Sequence, residues 1–167
     1  GQITTNDGIT IDADKFEYDK IKNILKATGN IEIRDKINDY KISSENVEYL
    51  KNIEKIKIKG KSSFFLYSNY NFKTEDITIL RNEKIINSDK NTTIIDKKNQ
   101  TFYEISKFSY SLIDETLKGE EIFVNIKYNQ PFSDKYFFKT AIIDLKNQNY
   151  IAQDIDINLK KDIFGNK

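Results

Sequence analysis

Apolar and polar residues alternate with a period of two along most of this chain, the signature of strands with one buried and one wet face. The stretch Ile9–Ile33 sets the pattern. Ile9, Ile11 and Ala13 alternate with Thr10 and Asp12. At Ala13-Asp14 the phase slips by one, and Phe16 and Tyr18 then carry the apolar face. Such a slip predicts a bulge or corner, where an additional residue re-aims the strand. Asp19–Asn23 is polar enough to be a connecting loop, after which Leu25, Ala27, Gly29, Ile31 and Ile33 alternate again.

The same pattern recurs. Tyr40–Tyr49, Phe72–Ile79, Tyr103–Tyr110 and Phe138–Leu145 can each be laid on Ile9–Tyr18, the last most loosely. The aligned apolar residues Phe16, Val47, Ile77, Phe108 and Ile143 lie 31, 30, 31 and 35 residues apart. A repeat of this length is one supersecondary unit that cannot cover its own apolar face, so stacking the units makes a continuous core.

Strand pairs at a spacing of about 8–12 residues predict an all-β sandwich, roll or solenoid. Gly1–Gly8 reads as a polar lead-in, residues 9–159 as the repeat domain and Lys160–Lys167 as an exit linker. Glu45–Lys59 has two readings. Val47, Leu50 and Ile53 fall near helical spacing, but Ile56-Lys57-Ile58-Lys59-Gly60 alternates strictly, so strand–turn–strand is expected. Turns are expected around Asn69, Asn82–Lys84, Asp96–Gln100 and Asp114-Glu115, with loops at Ser88–Asn91 and Asn129–Lys135. Pro131, the single proline, keeps that last loop off a central ladder.

Composition narrows the function classes. The 167 residues carry 27 basic against 26 acidic side chains, a net charge of +1, so no global field favours nucleic acid. Isoleucine, phenylalanine and tyrosine favour strands, and the regular pattern argues against disorder despite 32% charged residues. Without cysteine or histidine, thiol chemistry, the serine–histidine triad and the usual zinc sets are excluded. Asp12, Asp14 and Asp19, and the run Asp154–Asn158, lack the glycine and closing glutamate of a calcium loop, so no metal is expected. Acids spread along the wet face of every repeat do not make a glycosidase pair. No enzyme activity and no cofactor are expected. The aromatic stretch Phe64–Phe72 reads as core rather than a base-stacking platform, and Asn91-Thr92-Thr93 as a chance glycosylation match. The inward set is apolar almost without interruption. Either the walls close on each other, or they leave a groove for something greasy.

The first unit resembles the OstA-type domain of lipopolysaccharide transport proteins, which reads I-x-A-D-x-x-x-Y-D … A-x-G-N-V-x-I. Here Ile9–Asp19 and Leu25–Ile33 carry that pattern, and Ser44–Tyr49 with Lys59-Gly60-Lys61 carries a second copy that departs at Ser44-Glu45 and Gly60-Lys61. The likeness covers Ile9–Gly60 and rests on the repeat beyond it. Within the family the chain is most similar to the periplasmic amino-terminal domain of LptD-type assembly proteins, with the free-standing LptA-type bridge as the near alternative. Leu117-Lys118-Gly119 and Lys161–Asn166 are similar to the approach to the LptD barrel. The cysteines that join domain to barrel in that type are lacking here. The resemblance implies a β-jellyroll (a β-taco) with an open apolar interior that binds lipopolysaccharide acyl chains and passes them to the outer membrane. It implies a periplasmic location, joining to another Lpt jellyroll by edge strands at the amino-terminal end, and a carboxy-terminal barrel in the same protein. The expected lining is Ile11, Phe16, Tyr18, Leu25, Ile31, Ile33, Ile42, Val47, Tyr49, Ile56, Ile58, Phe72, Ile77, Phe108 and Leu117. The rival expectation is a ligand-free structural β-solenoid.

Overall fold

The computed structural model describes residues 1–154. Among the described residues, sixteen antiparallel strands form one continuous hydrogen-bonded sheet. In order they are β1 (Gln2–Thr4), β2 (Ile9–Asp12), β3 (Lys15–Asp19), β4 (Ile24–Asp35), β5 (Tyr40–Leu50), β6 (Lys55–Lys59), β7 (Lys61–Leu66) and β8 (Tyr70–Glu75). Then follow β9 (Thr78–Leu80), β10 (Ile85–Ser88), β11 (Thr92–Asp96), β12 (Thr101–Ile105), β13 (Lys107–Ser111), β14 (Thr116–Ile126), β15 (Asp134–Asp144) and β16 (Asn149–Asp154). The all-β class expected from the alternation is the class observed.

The pairing shows how the sheet folds on itself. Residues 32–35 of β4 pair with β2 and residues 31–35 with 40–44 of β5, whereas residues 24–28 of β4 pair with β3 and with 46–50 of β5. The same split divides β14 and β15 and separates β6 from β7, β8 from β9, β10 from β11 and β12 from β13. Every long strand therefore bends once at its middle and belongs to two leaves. The first leaf holds β1, β2, β7, β8, β11, β12 and the matching halves of β4, β5, β14 and β15. The second holds β3, β6, β9, β10, β13, β16 and the other halves. The corners form one closed spine, and the turns of both leaves lie on the opposite side, at the mouth.

Corner chemistry explains the bends. Gly29, Asn30, Gly60, Asp76 and Glu121 all have φ between 46° and 81°, the left-handed region. At the first corner the Asp14 N–H donates to the Gly29 carbonyl at 2.9 Å. A Cβ on Gly29 would lie 2.5 Å from Asp14 Oδ2, so glycine is required by both angle and space. The phase slip at Ala13-Asp14 is this corner. At later corners the last inward positions are hydroxyls that bond one another, Ser62 to Ser44 at 3.3 Å and Thr74 with Thr92 at 2.8 Å.

The turns repeat a clasp. In Asp35–Asn38, Asp96–Asn99 and Asp144–Asn147 the carboxylate accepts from the backbone N–H and the side-chain amide of the asparagine three residues on. Asp19 accepts in the same way from the N–H groups of Ile21 and Lys22. These Asx turns end the strands and start the return. Glu45–Lys59 is strand–turn–strand, as the strict alternation of Ile56–Gly60 requires, with only a short 3-10 turn at Lys51–Ile53. Two segments differ from the sequence reading. The lead-in contributes β1, which pairs with β2 through Ile3 and Ile11. In the fifth repeat the residue level with Phe108 is Ala141, through Gly119, rather than Ile143. Residues 155–167, including Asp156–Asn158 and the expected exit linker, lie outside the described residues.

Candidate functional site: the apolar interior and its mouth

Inward positions of the two leaves face each other and make the core. Of the expected lining, Ile11, Leu25, Ile31, Ile33, Ile42, Val47, Tyr49, Ile56, Ile58, Phe72, Ile77, Phe108 and Leu117 are all buried. Phe16 is half-buried against that cluster. Tyr18 is 49% exposed. It lies on β3, the edge strand of the second leaf, so no strand covers it from outside. Its hydroxyl meets Asn23 Oδ1 at 2.6 Å, and Lys51 Nζ lies 4.9 Å from its ring centroid.

The walls touch. Phe64 and Phe72 of the first leaf have ring centroids 4.7 Å apart, and Phe72 meets Phe108 of the second leaf at 5.2 Å. Offset aromatic contacts of this kind add about 0.5–1.5 kcal/mol beyond area burial. Two clefts lie outside this contact. One of about 710 Å³ runs outside the spine and is lined by polar residues such as Asn30, Glu45, Lys61 and Asn91. Another of about 370 Å³ opens at the mouth between Ile3, Thr5, Tyr49, Lys51 and Arg81.

The mouth is closed by polar contacts between the leaves. Tyr67, in the turn after β7, shares a 2.7 Å hydrogen bond with Tyr110 of β13. Tyr103 of β12 reaches Tyr150 of β16 at 3.3 Å. Gln148 donates to Thr101 at 2.8 Å, and Lys146 Nζ lies 3.9 Å from the Tyr67 ring centroid. At the other end of the mouth Arg81 donates to Glu54 at 2.6 Å, to Tyr49 and to Asp7, while Tyr49 donates to Glu54 at 2.7 Å. Asp7 belongs to the loop before β2 of the first leaf, and Glu54, Tyr49 and Arg81 belong to the second.

These groups titrate accordingly. Burial, with the hydrogen bond to Glu54, pushes the Tyr49 phenol up to about 12. Burial likewise raises Tyr67, Tyr103, Tyr110 and Tyr150, so the row stays neutral and able to donate. Burial alone would raise Asp7, but hydrogen bonds from Thr5 and Arg81 outweigh it and hold its carboxyl below the usual range.

Sequence reasoning read the core and missed this seam. A signal was present: tyrosine rather than phenylalanine stands at Tyr18, Tyr49 and Tyr110, and again at Tyr40 and Tyr70, at repeat spacing next to the turns. Tyrosine suits a position with an apolar body and a polar tip. The aspartates weighed as metal ligands are engaged separately. Asp12 accepts from Gln2 at 3.0 Å, Asp14 from Asn30 at 2.9 Å, and Asp19 holds its turn.

No protein-family model matches the chain, and no curated protein does. Among solved structures it is similar to that of LptH, the LptA-homologous periplasmic component of the conserved lipopolysaccharide transport device from Pseudomonas aeruginosa. Identity is 14% and the TM-score 0.34, over 91% of this chain and 94% of that one. An overlap so loose decides nothing about function. The strand pairing and the inward rows stand without it.

Proposed function

We propose that this chain is a periplasmic carrier of lipopolysaccharide, taking the acyl chains between its two leaves and leaving the sugars outside. The observation that supports it best is the interior itself. Apolar inward rows run through every repeat, while the mouth is held by hydrogen bonds and one ion cluster that part without breaking a strand. Acyl chains need such a path, because each methylene removed from water is worth about 0.8 kcal/mol. Parting the seam exchanges the contact between the walls for contact with the acyl chains. Ile31, Ile58, Phe72 and Phe108 face the cargo, and Tyr67, Tyr110, Tyr103 and Arg81 govern access.

The finer assignment rests on the likeness of Ile9–Gly60 to the OstA-type domain. It reads the chain as the periplasmic part of an outer-membrane assembly protein, handing cargo to its own barrel, with the free-standing bridge type as alternative. The reading frame beyond Lys167 separates the two. Under both, the unpaired side of β3 (Lys15–Asp19) receives an edge strand of a neighbouring jellyroll. Native mass spectrometry of protein purified from a lipopolysaccharide-producing host tests the carrier reading. A bound lipopolysaccharide, lost on Ile31→Asp in a variant that still folds, is expected. An empty protein that takes up no added lipopolysaccharide overturns it in favour of a structural solenoid.

A further inference from the structure

The turns of the second leaf present large aliphatic side chains to water. Ile21, between β3 and β4, is 96% exposed, and Ile53, between β5 and β6, is 60% exposed. Behind them the outward row runs Ile24, Leu50, Lys55, Leu80, Ile85, each the cross-strand neighbour of the next and each half-buried. The two tips are fixed side by side. The Lys51 N–H donates to the Asn23 carbonyl at 3.2 Å, and the Asn23 amide donates to Asn52 at 2.7 Å. With two strand spacings between them, the tips stand about 10 Å apart.

Lysines flank both tips, and Glu83 stands at the far end of the row in the turn between Leu80 and Ile85. Lys20 and Lys22 flank Ile21, Lys51 precedes Ile53, and Lys55 lies within the row. Among the described residues, none of these four lysines is in an ion pair. The acids beside the two tips are committed elsewhere: Asp19 to backbone N–H groups, Glu48 to Lys59 at 2.9 Å, and Glu54 to Arg81 at 2.6 Å. Aliphatic tips interleaved with lysines that have no carboxylate partner, Lys51 lying over the Tyr18 ring, complement a surface with phosphates above hydrocarbon. Lysine stems lie along the apolar band while their ammonium groups reach the phosphates.

We propose that this rim docks the domain on an anionic bilayer surface, with Ile21 and Ile53 inserted at headgroup depth and Lys20, Lys22, Lys51 and Lys55 on the phosphates. This goes beyond the carrier reading and does not depend on it, because the exposed tips Ile21 and Ile53 and the outward row take no part in the apolar interior, Lys51 alone also bordering the mouth cleft. Co-sedimentation with phosphatidylcholine vesicles, with and without about 30% phosphatidylglycerol, tests it with the chain as it stands. Binding is expected to the anionic vesicles only. It should fall about tenfold between roughly 50 and 500 mM salt, and at least about tenfold in Ile21→Ser/Ile53→Ser and in Lys20→Gln/Lys22→Gln/Lys51→Gln, with unchanged melting temperatures. Three results would each overturn it: no binding by the parent chain, equal binding to neutral vesicles, or undiminished binding by folded variants. So would a concentration-dependent dimer that the isoleucine variant abolishes, which would make the rim an interface between copies.

Discussion

Phe72 illustrates what a single inward residue does here. It is fully buried and touches Phe64 on its own leaf and Phe108 on the other. Phe72→Ala leaves a void between the leaves and is expected to cost about 3–5 kcal/mol, read from the shift of the denaturant midpoint. Gly119, the cross-strand neighbour of Phe108 on the other wall, has the opposite requirement. A Cβ there would lie 2.8 Å from Ile122 and 3.0 Å from Ile105, so Gly119→Ala should destabilise by about 1–3 kcal/mol although its backbone angle is ordinary. The inward parity of most residues was legible from alternation alone, because period two leaves a side chain only two faces. Tyr18 was not, since its exposure follows from β3 being an edge strand, a property of the whole sheet. Tyr49 was read as lining and is also a mouth residue, which depends on Arg81 arriving from 32 residues away.

Among the elements, turns and corners carry the specificity. Asp96 is fully buried, accepts from Asn69 at 2.7 Å, and clasps Asn99 through both carboxylate oxygens. Asp96→Ala strips partners from these buried groups and should cost about 1–3 kcal/mol, whereas Asp19→Ala, in the exposed first turn, should cost less. Equal midpoints in urea for the two variants would contradict this. The turn at Asp96–Gln100 was legible because its residues are turn formers between alternating runs. The corners were legible only at Ala13-Asp14. Two of the crossings from the second leaf to the first, Ala27 to Ile31 and Ile58 to Ser62, leave parity unchanged and the bend invisible to alternation, whereas Gly119 to Ile122 shifts the phase by one.

For the molecule as a whole, the question is whether the seam between the leaves parts. The mouth tyrosines offer a pH test. A phenol whose pKa is raised on folding contributes stability that is complete below its unfolded value, about 10. For Tyr49 that contribution is lost as pH rises through about 12. Stability should therefore hold to about pH 9 and fall above it, and Tyr49→Phe should flatten the fall in a urea series. Tyr67→Phe combined with Tyr103→Phe should speed amide exchange in the turns at the mouth while β5 stays protected, at about 1 kcal/mol per lost bond. The proposed carrier role requires that the seam part and that lipopolysaccharide travel between the leaves and not along their outer faces. Photo-crosslinking residues placed singly at Ile58 and Phe72, and at the outward neighbours Lys57 and Lys73, separate these routes most directly. Crosslinks to lipopolysaccharide are expected from 58 and 72 and none from 57 and 73; crosslinks from the outward pair alone, or from no position, would contradict a path through the interior.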